Sequence, residues 1–143
     1  MSYERLIAEH GRIDIMLGRL LLMIEADEAD TAAVTIGLSD LSRELTQHLD
    51  FEDSFIYPRM IASGNPQAAA TAQEFVEDFA KLRADWGLYL GEWNSECIAE
   101  DWDGFRHETR RMMARLTDRV RAENELLYAA ALQVNAIRLR KAA

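Results

Sequence analysis

The feature that most constrains this chain is a rhythm of apolar residues, at steps of three and four, that runs through nearly all of it. An α-helix turns once in 3.6 residues, so such a rhythm lines the apolar side chains along one stripe. Four stripes follow one another. They are Leu6, His10, Ile13, Leu17, Leu20, Ile24; Val34, Leu38, Leu41, Leu45, His48, Glu52, Phe55; Phe75, Phe79, Leu82, Trp86, Tyr89, Trp93; and Phe105, Thr109, Met112, Leu116, Arg119, Glu123, Leu126, Ala130. Asp27 to Asp30 break the first from the second, and Ser63-Gly64-Asn65-Pro66 stops the second, because glycine suits the residue after a helix and proline the first turn of the next. Ser2, and Asp30 or Thr31, can cap the helices that follow them. The pattern predicts helices over about 3–26, 32–61, 66–97 and 103–139, with Pro58 loosening the end of the second and Arg138, Arg140 and Lys141 suiting the dipole of the last. No segment alternates with period two. The expected fold is all-α: one domain over residues 1–143, an antiparallel up-down-up-down four-helix bundle.

Composition narrows the classes of partner. A net charge of -9 would repel the phosphates of a nucleic acid. No run of roughly 18 apolar residues exists to span a membrane. Cys97 is alone, so no disulfide forms within the chain, and a soluble, cytoplasmic protein is expected.

Residues that interrupt the stripes carry the functional signal. His48 and Glu52 lie one turn apart on a face otherwise made of leucines. His10, Arg119 and Glu123 interrupt the first and fourth stripes, with Thr109 a milder case. Counted outward from the three breaks at 1.5 Å per residue, His10, His48, Phe79 and Arg119 share one layer. Glu52 and Glu123 fall one turn further along helices running the same way, in a layer with Leu6 and Phe75. A buried charge needs a partner, and here the partners are one another or a metal ion.

With these residues in place the chain resembles the hemerythrin-like HHE cation-binding family. The resemblance covers nearly all of it, through Leu6-Ile-Ala-Glu-His10-Gly-Arg-Ile-Asp14, His48-Leu-Asp-Phe-Glu52 with Ile56-Tyr57-Pro58, and Glu123-Asn-Glu-Leu-Leu-Tyr128, which repeats the spacing of Glu52 to Tyr57. It implies a bundle holding two non-haem irons, bridged by two carboxylates and ended by five histidines, that binds dioxygen or serves in sensing and iron handling. Carried over, His10 and His48 match the terminal ligands of the iron that has two histidines, and Glu52 and Glu123 match the bridges. The remaining three histidines fall on Phe75, Phe79 and Arg119, so one half of the centre is replaced.

Two readings follow. In the first, His10, His48, Glu52 and Glu123 hold one metal, a mononuclear non-haem iron or a zinc, with dioxygen or another small molecule as ligand. In the second, no metal binds, Arg119 pairs with both glutamates, and the fold is a regulatory or interaction module whose protein partner is unknown. A di-iron oxidase would need Glu-x-x-His pairs on two helices, which are lacking, so no enzymatic activity is expected. His107 is read as a surface residue, Cys97 as a buried or end-of-helix thiol with no base or second cysteine near it in sequence, and Tyr57 and Tyr128 as packing near the site. Arg106, Arg110, Arg111 and Arg115 are read as a solvated face paired with acids.

Overall fold

A computed structural model of the protein describes residues 2–140, so Lys141 lies outside the described residues. These residues form an all-helical bundle. The helices are α1 (Tyr3–Glu25), α2 (Thr31–Phe51), α3 (Tyr57–Ile61), α4 (Pro66–Glu92), α5 (Ser95–Glu100), α6 (Trp102–Ala122) and α7 (Tyr128–Gln133). Wider π turns, Glu52–Ile56 and Glu123–Leu127, join α2 to α3 and α6 to α7 without a break. Side-chain caps start the main helices: Ser2 accepts from the Arg5 N–H, Asp30 from Ala33, Asn65 from Gln67 and Ala68, and Asp101 from Gly104.

Two helix ends differ from the expected ones. The third helix was expected to reach Cys97, but α4 ends at Glu92, because Asn94 leaves the helix and caps the short α5 through the Cys97 N–H. The fourth was expected to reach Leu139, but α7 ends at Gln133. Asn135 takes a left-handed conformation (φ 58), the Ala136 N–H reaches the Ala131 carbonyl and the Asn135 N–H that of Leu132. That reciprocal pair of bonds closes a helix. Arg138 and Arg140 therefore stand beyond the last turn; the Arg138 carbonyl accepts from the Tyr3 N–H instead, which folds the C-terminal segment over the start of α1.

The π turns also correct two stripe positions. Phe55 and Leu126, assigned to the core by α-helical rhythm, are 46% and 60% exposed. Their neighbours Ile56 and Leu127 are fully buried, as is Tyr128, while Tyr57 is nearly so. Each π turn inserts one residue, since the Tyr57 N–H reaches back to Glu52 and the Tyr128 N–H to Glu123, and all later positions move round by one.

The core divides into two apolar clusters with the polar residues between them. One contains Ile13, Leu45, Leu82, Leu116 and Val120; the other contains Leu6, Ile56, Phe75, Leu127 and Ala131. His10 lies between Leu6 and Ile13, His48 and Glu52 between Leu45 and Ile56, and Glu123 between Val120 and Leu127. The site is a polar plane across an otherwise apolar interior.

Candidate metal centre

Four buried side chains meet in that plane. α1 supplies His10, α2 supplies His48, and the two glutamates stand at the first residue of the two π turns. His10 Nε2 lies 2.9 Å from His48 Nε2 and 2.9 Å from Glu123 Oε1, and His48 Nε2 lies 3.1 Å from the same oxygen. Glu52 Oε1 is 2.8 Å from His48 Nε2, close enough for an ion pair but not in hydrogen-bonding geometry. Neither Glu52 oxygen has a hydrogen-bond partner among the described residues, although the side chain is wholly buried.

The outer nitrogens of both imidazoles are committed. His10 Nδ1 donates to Asn124 Oδ1 at 2.6 Å and His48 Nδ1 donates to Glu9 Oε1 at 3.0 Å. Glu9 is itself buried, and although burial would raise its pKa, His48 and Arg5 hold it below the usual carboxylate value. An ionised carboxylate only accepts, so the His48 proton sits on Nδ1. The two Nε2 lone pairs then face each other and Glu123. A second proton on one imidazole supplies one N–H, and the Tyr128 hydroxyl, 3.0 Å from His10 Nε2 and 3.4 Å from Glu123 Oε1, supplies one O–H. These two donors can serve Glu123 Oε1 and the remaining imidazole nitrogen, and Arg119 holds Glu123 Oε2, which leaves both oxygens of the buried Glu52 without a partner. A cation at the centre of the four side chains satisfies them as well, so the residues fit a metal ion. His10, His48 and Glu123 form the tight group that can hold one, with Glu52 at its edge.

The charges in the site are strongly coupled. Burial alone would lower the His48 pKa, but Glu123, Glu52 and Glu9 outweigh it and push it up to about 12. Glu52 is pushed up to about 8, first by burial and then by the charge on Glu123. Glu123 goes the other way: burial would raise it, but His10, His48 and Arg119 hold it well below the usual range. Burial, then Glu52 and Glu123, keep the Tyr128 phenol protonated.

The side opposite the histidines is filled by Phe75, Phe79 and Arg119. The guanidinium lies 4.6 Å from the Phe75 ring centre and 5.2 Å from that of Phe79. Its Nε donates to Glu123 Oε2 at 2.7 Å, Nη1 to the Phe75 carbonyl at 3.2 Å, and Nη2 to the Tyr57 hydroxyl at 2.7 Å. The pairing of Arg119 with both glutamates is thus corrected: it bonds to Glu123 alone, because its two terminal nitrogens are taken elsewhere. Glu123 has one oxygen on a permanent cation and the other on the histidines.

Sequence reasoning did not single out Glu9 and Asn124. Their signal was adjacency, one residue before His10 and one after Glu123, but neither position belongs to an apolar stripe. His107 is exposed and Cys97 is half-buried with a free thiol. Arg106, Arg110, Arg111 and Arg115 pair with Glu25, Asp103, Glu108 and Asp85 at the surface.

Fold and donor set together define a helical domain in which two buried imidazoles and a carboxylate could hold a cation. The family model for the hemerythrin HHE cation-binding domain matches residues 1–131, and the chain belongs to that family. No curated protein and no solved structure matches it. No described helix is long and apolar enough to cross a membrane.

Proposed function

We propose that this HHE domain holds one non-haem iron at His10, His48, Glu123 and Glu52, with Arg119 standing where its relatives carry a second metal. The supporting observation is the convergence of two imidazole nitrogens and a carboxylate oxygen, both outer imidazole N–H groups being committed to Asn124 and Glu9. Two histidines and one carboxylate on a single face are the donor set of non-haem Fe(II). Bound there, the ion would supply a redox-active centre with open positions for dioxygen or another small ligand.

In this reading the helices run alternately up and down in a four-helix bundle, and the protein is cytoplasmic. Its role is binding, in oxygen or redox sensing or in iron handling, rather than turnover. Metal analysis of untagged protein, purified without chelator, tests it. About one equivalent of iron is expected; less than about a tenth of an equivalent of any transition metal would sink the idea.

The anchoring of Arg119 at three points favours a second reading, a metal-free module in which this cation, with the two imidazoles, compensates Glu123. Under it, Arg119→Ala destabilises metal-free and metal-supplemented protein alike, by several kcal/mol. Rescue of the variant by added iron would count against it.

A further inference from the structure

Beside the polar plane, on the side of the Ile13 cluster, lies a cavity of about 330 Å³. Its inner end touches His48, Glu123 and Arg119, and its walls include Leu45, Leu49, Phe79, Leu82, Trp86 and Leu116. The cause is local: α4 packs closely on α3 and on the second π turn, but its backbone approaches α2 and α6 only sparsely. The mouth opens between Thr46 and Asp50 on α2 and Arg83 and Gly87 on α4, all four exposed. Arg83 straps it. Its guanidinium lies over the Phe79 ring at 4.8 Å and reaches Asp53 at 3.3 Å and Asp50 at 3.7 Å.

We propose that this cavity binds an uncharged, largely apolar molecule of about the size of a two-ring aromatic, with one edge against the His48–Glu123 face. Volume is the first argument. Protein interiors hold few voids larger than a water, whereas an apolar cavity of roughly 150 Å³ already takes up a benzene. This one has about twice that room, and a diatomic ligand would leave most of it empty. Wall chemistry is the second: large apolar side chains line it, and polar groups gather at the inner end and the rim, as in small-molecule sites. Charge is the third. The inner cation, Arg119, is bonded at all three nitrogens, and the Glu123 carboxylate beside it disfavours an anion. Gly87, at the mouth, offers a place to test this: it sits inside a helix, where glycine weakens the structure, and a Cβ there would meet nothing within 4 Å. A larger residue would add helix stability and narrow the mouth. The proposal does not depend on which cation the histidines hold.

Fluorine NMR of fluoronaphthalene in the presence of the full chain tests it, with naphthalene as competitor. The ligand signal is expected to broaden and shift, with a Kd below about 1 mM, and naphthalene to reverse the change. Gly87→Leu, at the mouth and away from every metal-ligating residue, should weaken binding at least about tenfold while the thermal midpoint stays level or rises. Leu82→Trp, filling the cavity from α4, should do the same to binding if it folds, and the mouth variant decides the matter if it does not. An unperturbed fluorine signal, undiminished binding in folded Gly87→Leu, or tighter binding of naphthoate than of naphthalene would each overturn the proposal.

Discussion

The two π turns are built alike and used oppositely. Each begins at a buried glutamate, closes on the N–H of a tyrosine five residues later, and follows a long amphipathic helix. Glu123 nonetheless bonds to His10, His48 and Arg119 and is held ionised, whereas Glu52 has neither oxygen in a hydrogen bond and is pushed up to about 8. The tyrosines part company too: the Tyr57 hydroxyl accepts from Arg119, while that of Tyr128 faces both histidines. One backbone device thus delivers two carboxylates of identical local geometry, and their neighbours decide the charge each carries. Neighbours on both sides make the difference. With His10 and His48 at one oxygen and Arg119 at the other, Glu123 keeps its negative charge, and that charge, added to burial, opposes ionisation of Glu52.

The comparison breaks most visibly when each glutamate is neutralised. Glu123→Gln removes the counter-ion of the buried Arg119 and is expected to cost about 3–5 kcal/mol in urea unfolding of the metal-free protein. Glu52→Gln should be neutral or stabilising by roughly 1–2 kcal/mol near pH 7, because it removes a carboxyl that folding forces to keep its proton. Equal losses for the two would show that the asymmetry is not energetic. In metal-supplemented protein both variants should bind less iron, Glu123→Gln the less of the two.

Acidity sharpens the same contrast. His48 and Glu52 are raised from 6.5 and 4.5 to about 12 and about 8, so the folded metal-free chain holds protons that the unfolded chain has released. Their contributions are fully present below those unfolded values and are lost as pH rises, across 4.5 to about 8 for Glu52 and 6.5 to about 12 for His48. Glu123, held below 4.5, contributes above that value and loses its contribution as pH falls through the lowered one. Chelator-treated protein should therefore lose several kcal/mol between about pH 5 and about pH 9, followed by urea midpoints. Iron affinity should rise over the same range, since the ion displaces those protons. A metal-free profile that rises with pH would contradict the assignment of protons to His48 and Glu52.

How much of this was legible depended on whether a residue sat in the helical rhythm. His10, His48, Glu52 and Glu123 were visible because each occupies a stripe position where its chemistry does not belong. Arg119 was visible for the same reason, but not its choice between the glutamates, which depends on the Phe75 carbonyl and the Tyr57 hydroxyl. Phe55 and Leu126 were misplaced because rhythm counting assumes an unbroken α-helix. The adjacent apolar pairs Ile56-Tyr57 and Leu127-Tyr128 were the only hint that the register moves by one after each glutamate. Glu9 and Asn124 escaped because a residue next to a ligand points about 100° away from it along a helix, off the stripe.

Those two supports give a smaller effect. Glu9→Gln and Asn124→Ala each loosen one imidazole without touching a ligand atom, and each should weaken iron binding by about 10–100-fold. An unchanged affinity in either variant would mean that the imidazole it holds is not a ligand.

The tyrosines carry the smallest difference and the most selective one. Tyr57→Phe removes a neutral acceptor from the Arg119 guanidinium, at a cost of about 1–2 kcal/mol of stability, and should leave iron binding unchanged because no donor atom moves. Tyr128→Phe removes a protonated phenol lying 3.0 and 3.3 Å from the two Nε2 atoms. In the metal-free protein that hydroxyl is one of the few donors available to the site, so stability should drop by about 1 kcal/mol. In the iron-loaded protein the imidazole lone pairs are already occupied, and the same substitution should cost less. Measured as a pair with and without metal, the two variants separate the functions of the π turns. The cost of Tyr57→Phe should not depend on iron and that of Tyr128→Phe should, and a metal-independent Tyr128→Phe would place the cation somewhere other than between the two histidines.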